Sequence, residues 1–157
     1  MMKNSLFVII GMILLPVIYG SIHAESSEFT LGEVQWIKES HPPSGFSSIQ
    51  VIDPDMNLSS DAIDKFKIHI WSDSDSQGIT PYVYETSKDS AVFTSNIAFS
   101  SNHSIGQRLH TLEEDLVIAS YEDHTVPLPY DKEKQEILDS VIVRKTFANP
   151  DESRDFF

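Results

Sequence analysis

No cysteine occurs anywhere in the 157 residues. That excludes a disulfide framework, a thiolate nucleophile and thiolate zinc centres, so a folded domain must be held by its core, by metal or by neighbours. Basic residues are scarce too: 11 Lys and Arg stand against 24 Asp and Glu, for a formal charge of −13. A surface of that sign repels phosphate backbones, which argues against nucleic acid as a partner, and it attracts small cations only weakly. No Gly-x-Ser-x-Gly elbow is present, and His41, His69, His103, His110 and His124 come no closer than seven residues to one another. Neither a serine-hydrolase turn nor a closely spaced imidazole centre is encoded, and these histidines are expected on exposed strands or loops. Glu113-Glu114-Asp115 precedes the apolar stretch Leu116 to Ile118 and is expected to blunt a loop rather than to act as a carboxylate pair. The chain is expected not to be an enzyme.

What is present begins with a leader. Lys3 supplies a small positive start, Leu6 to Ile18 an apolar run, and Ser21-Ile22-His23-Ala24 a small residue at a cleavage position. Residues 1–24 are therefore expected to be a signal peptide. Ser5 to Ile22 is also long enough to serve as an uncleaved anchor, which would be the chain's sole attachment to a membrane. Either way the remainder is expected outside the cytoplasm, secreted or at the cell surface. It divides into a flexible lead-in (25–31), one domain (32–147) and a flexible tail (148–157).

Within the domain, side-chain character alternates with a period of two. Phe66, Ile68 and Ile70 share one face, Lys67 and His69 the other, and Trp71 closes the strand. Ser48 to Ile52, Thr80 to Thr86, Val92 to Phe99 and Leu116 to Tyr121 read as further strands. Val34 and Trp36 mark an opening strand, and Val141 and Val143 one face of a closing strand over Ile137 to Phe147. Turn chemistry separates them at Pro42-Pro43-Ser44-Gly45, Asp53-Pro54-Asp55, Ser72 to Gly78 and Ser100 to Gly106. About seven strands at such spacing predict an all-β, antiparallel two-sheet sandwich of immunoglobulin-like type. Trp36, Ile68, Ile70 and Trp71 are expected in its core. Leu58 to Asp64 is expected to form one helical turn capped by Ser59 or Ser60, and residues 131–140 a short helix.

Asp53-x-Asp55-x-Asn57 sets three oxygen-bearing side chains at alternate positions, a pattern suited to a hard cation such as calcium, with Asp123 or Glu122 joining from the other sheet. Leu58 stands where a helix-loop-helix calcium site needs glycine, so only a looser edge site fits. The competing reading is a plain turn at Asp53-Pro54-Asp55. Asp73-x-Asp75-x-Gln77-Gly78 has the same opening without a later acidic ligand and reads as a solvated hairpin loop. Asn57 and Asn102 head glycosylation sequons, and Asn57 cannot carry a sugar and bind metal at once. Trp36, Trp71, Tyr82, Tyr84 and Tyr121 would stack on sugars only if they shared an open face.

Six words now stand in order: Gly32 to Trp36 (GEVQW), Val51 to Leu58 (VIDPDMNL), Ile70 to Asp75 (IWSDSD), Glu85 to Phe93, Gly106 to Leu109 (GQRL) and Tyr121 to Tyr130 (YEDHTVPLPY). Together they resemble the immunoglobulin-like modules of the large surface-layer proteins of ammonia-oxidising archaea. The similarity covers about a hundred residues. Where that family carries glycines around the aromatic strand after Glu-Thr, this chain has Ala91 and Ser95, and where the family strings many modules together, this chain has one. The resemblance implies an exported structural or interaction module of the archaeal cell envelope, associated with the surface layer. Its partners would be envelope or surface-layer proteins, or further copies of itself. The alternative is a cell-surface module that binds a divalent cation or a glycan.

Overall fold

Val34 and Trp36, Ile49 and Val51, Phe93 and Ile97, Val117 and Ala119, and Val141 and Val143 all turn inward at every second position. This period fits only a pleated strand buried on one side. In the computed structural model, which describes residues 29–126 and 133–144, strands predominate. They are β1 (Glu33–Trp36), β2 (Ser40–His41), β3 (Gly45–Ile52), β4 (Lys65–Lys67), β5 (His69–Ser72) and β6 (Asp75–Ile79). Then follow β7 (Tyr82–Glu85), β8 (Val92–Ser100), β9 (Arg108–His110), β10 (Leu116–Asp123) and β11 (Gln135–Val143). The leader, the lead-in up to residue 28 and the tail lie outside the described residues.

Two sheets pack face to face as a sandwich. The first has the order β1-β3-β8-β7-β4, with β9 beside the far half of β8; the second has the order β2-β11-β10-β5-β6. Most pairings are antiparallel, but β9 runs parallel to β8 and β2 parallel to β11. The strand count exceeds the expected seven because short pieces at the edges, β2 and β9 among them, carry too few residues to show alternation.

Several expectations need correcting. The single strand read over Phe66 to Trp71 is two. Lys65–Lys67 pairs with β7, Ile68 N–H donates to Pro81 O at 3.2 Å, and Ile70 then lies opposite Ala119 in the other sheet. The chain changes sheets at Ile68 without breaking parity, so Phe66, Ile68 and Ile70 still face the interior. Trp36, Ile68 and Ile70 belong to the core, whereas Trp71 does not. Because Ile70 and Ser72 point inward, Trp71 points out and stacks on His69 with ring centroids 4.9 Å apart. Asp75 to Gly78, read as part of the Ser72 to Gly78 loop, belongs to β6.

No helix forms over Leu58–Asp64; the Asp64 carboxylate instead accepts the Leu58 and Ser59 N–H groups at 2.8 and 2.9 Å. The one short helical turn among the described residues is Pro54–Met56. There Asp53 caps, accepting Asp55 N–H at 2.8 Å, and Pro54 occupies the first position, where no donor is needed. The helix expected over 131–140 is also overturned for its described part. Residues from Gln135 on belong to β11, held by eight consecutive partners on β10.

His41 is buried rather than exposed. Its ring sits edge-on to Phe99 at 5.6 Å, and Nε2 lies 2.8 Å from the buried Ser47 Oγ. Burial first, then the charge of Lys38, holds its pKa below the ordinary imidazole range. Buried on all sides, this Ser–His pair is part of the packing.

Candidate interaction surface

Asp53 and Asp123, expected as calcium ligands, come together across the sandwich with neither exposed: both are 0% accessible. Each is already satisfied by the protein. The Tyr121 hydroxyl donates to Asp53 Oδ2, and Asp53 Oδ1 takes Asp55 N–H. Asp123 Oδ2 accepts Gly32 N–H at 2.8 Å, while Oδ1 accepts the N–H and hydroxyl of Thr125 at 2.8 and 2.9 Å. Asp55 turns away and accepts the Thr30 N–H at 2.7 Å. Gly32 is required here by space, since a Cβ would stand 2.7 Å from the Tyr121 ring. Burial drives the Asp53 pKa up against the pull of the Tyr121 hydroxyl and the Asp55 N–H, and burial with the adjacent carboxylate drives the Tyr121 phenol far up.

The Asn57 amide donates to Asp89 at 2.7 Å, and its buried oxygen has no partner. One orphan oxygen is not the six to eight that calcium takes. Among the described residues no three His, Cys, Asp or Glu side chains gather as metal ligands. Asp53, Asp55 and Asp123 form hydrogen bonds that tie the approach to β1, the 54–56 turn and β10 together, while Asn57 bonds to Asp89 instead. Of the two sequons, Asn102 is exposed on the β8–β9 loop, while the Asn57 nitrogen is engaged.

Two other carboxylates do similar work. Glu85 accepts Ser90 N–H at 2.7 Å and Ala91 N–H at 3.0 Å through one oxygen, and Asp64 N–H at 3.3 Å through the other. Burial alone would raise its pKa, but these donors hold it below the ordinary range. They also fix a loop in which Asp89 and Ala91 have φ of 63° and 55°. Asp75 accepts Ser104 Oγ and the Gly78 N–H in an open cleft of about 450 Å³ lined also by Ser74, Gln77 and His103. The Ser104 hydroxyl first, then the Gly78 N–H, lowers its pKa. With its oxygens so occupied, Asp75 is an anchor for the β5–β6 hairpin.

The outward faces differ sharply. On the second sheet Ile118 lies between Trp71 and Ser140, Leu116 lies opposite Ile142, and Leu138 lies opposite Ser120. Five large apolar side chains thus lie on one outer face, with Leu116 and Leu138 exposed, Trp71, Ile118 and Ile142 half-buried, and Leu138 set among Ser120, Ser140 and Glu136. Glu122 and Glu136 pair at one end of the patch, where Lys134 and His124 meet Glu122. On the first sheet one register row runs Gln35, Gln50, Thr94, Tyr84, Lys65. Tyr82 and Tyr84 stand exposed side by side, ring centroids 6.2 Å apart, with Lys65 and Lys67 ammonium groups 5.1 to 5.8 Å from the rings. The shared open face that sugar stacking by Trp36, Trp71, Tyr82, Tyr84 and Tyr121 would require is met only by Tyr82 and Tyr84, while Trp36 and Tyr121 are buried and Trp71 is on the other sheet.

Alternation alone did not single out the apolar outer patch, yet a signal existed. Leu116-Val117-Ile118 and Val141-Ile142-Val143 are apolar at consecutive positions, which in strands means both faces are apolar. Compared with protein-family models and with curated proteins, the chain matches none.

Proposed function

We propose that this protein is an exported structural or interaction module of an archaeal cell envelope, associated with the surface layer. In this reading it meets its neighbours through the outer face of the β5-β10-β11 sheet. The observation that carries the reading is the set of outward apolar residues Trp71, Leu116, Ile118, Leu138 and Ile142 on one face of a strongly acidic chain. Water-exposed apolar area of this kind marks protein contact surfaces, and burying it against a partner releases on the order of 25 cal/mol per Å². The flanking Glu122 and Glu136 would form the polar rim such interfaces carry. The sequence words shared with surface-layer modules supply the cellular setting.

The test is assembly. Sedimentation velocity of the chain from residue 25 onward, alone and with envelope fractions, should show self-association or envelope binding. Leu138→Asp should abolish either one while leaving the melting temperature unchanged. A wild-type chain that stays monomeric and ignores envelope would end this reading.

A further inference from the structure

We infer that the outer face of the first sheet is a binding face for an acidic polysaccharide, with Tyr82 and Tyr84 as the stacking platform and Lys65 and Lys67 as carboxylate receptors. Charge is the first argument. Acidic residues outnumber basic ones more than twofold in the chain, yet the outward positions of this sheet's strands hold Lys65, Lys67 and Arg108 against one carboxylate, Glu33, on the far strand. Among the described residues neither lysine forms an ion pair. Two ammonium groups left free on a chain of this net charge select an anionic occupant over a second copy of the same surface.

Shape and hydrogen-bonding capacity then favour a glycan over a peptide. Lysines on an edge strand commonly guard it against pairing, which accounts for Lys65 and Lys67 on β4. It does not account for two tyrosines left 40% and 45% exposed on the next strand in. The rings offer the apolar faces on which sugar C–H groups stack, and their hydroxyls remain available as donors. Behind them the row Thr94, Gln50 and Gln35 adds uncharged amides and a hydroxyl across β8, β3 and β1. Five strands at the usual spacing give a flat track roughly 19 Å wide. An acidic peptide would find no exposed backbone to pair with on such a face. A carboxylated sugar chain finds cations, ring faces and side-chain hydrogen bonds in one line. An incoming carboxylate takes up the ammonium groups now resting near the rings and leaves the ring faces for the sugar.

The experiment is calorimetric titration of the full chain with polygalacturonate, with neutral dextran and with poly-glutamate. Polygalacturonate should bind, more weakly as salt is added, and dextran should not. Tyr82→Ala/Tyr84→Ala and Lys65→Gln/Lys67→Gln should each weaken polygalacturonate binding by about tenfold or more, with unchanged melting temperature. Leu138→Asp, on the opposite sheet, should leave it intact, which separates this site from the assembly surface. Failure of polygalacturonate to bind would overturn the proposal. So would poly-glutamate binding as tightly, or tyrosine variants that bind like the wild type, since either would leave only a charge patch for acidic polypeptides.

Discussion

The Tyr121 hydroxyl, carried on β10, donates to a carboxylate oxygen of Asp53 at the end of β3, and both side chains are fully enclosed. The bond joins the two sheets at the point where Asp123 holds the entry of β1 through Gly32 N–H. Tyr121→Phe leaves the buried Asp53 oxygen without its donor. It should destabilise the fold by about 1–3 kcal/mol, read from urea unfolding. An unchanged midpoint would mean that water reaches the site and replaces the hydroxyl.

The pH dependence has two opposing parts. The Asp53 pKa is raised by burial, so the folded state holds its proton more tightly than the unfolded chain. Its contribution is fully present below the ordinary carboxylate value and is lost as pH rises through the raised one. Asp53→Asn should remove that decline. For Glu85 and Asp75 the shift is downward, so their contribution is present above the ordinary value and is lost as pH falls through the lowered one. Glu85→Gln should flatten the acid limb. Unfolding free energies measured across the carboxylate range would check both slopes; an opposite sign at Asp53 would contradict its burial, and at Glu85 or Asp75 the hydrogen-bond assignments.

Ala91 holds φ at 55°, a left-handed conformation that costs an L-residue roughly 1–2 kcal/mol. Ala91→Gly removes the clash at the price of extra freedom in the unfolded chain and should stabilise by about 0.5–1 kcal/mol in thermal denaturation. A lower melting temperature would show that the Glu85 cradle has already relaxed the strain.

Gly78 allows the β5–β6 hairpin to close, for a Cβ there would stand 2.0 Å from the Ile70 carbonyl oxygen at a φ of 58°. Gly78→Ala should therefore cost at least about 2 kcal/mol and displace Asp75 from Ser104. Wild-type stability in this variant would require a hairpin of different shape.

Calcium provides the sharpest check on the carboxylate knot. With Oδ2 held by the Thr30 N–H and hydroxyl, Asp55→Ala should lower the melting temperature equally in calcium and in chelator. A loss seen only in calcium would restore the metal reading.

The period-two alternation from Val34 to Val143 was enough, on sequence alone, to indicate an all-β sandwich and to place Trp36, Ile68 and Ile70 in its core, because a strand's side-chain parity is local geometry. Tertiary structure decided what parity cannot express. It decided that the chain changes sheets at Ile68, which sends Trp71 outward, and that Asp53 meets Tyr121 sixty-eight positions away. It also decided that Lys65 and Lys67 lie against Tyr82 and Tyr84. Which group satisfies a buried carboxylate, and which side chains share an open face, depends on strand order and register, and these are set by long-range pairing that no local pattern contains.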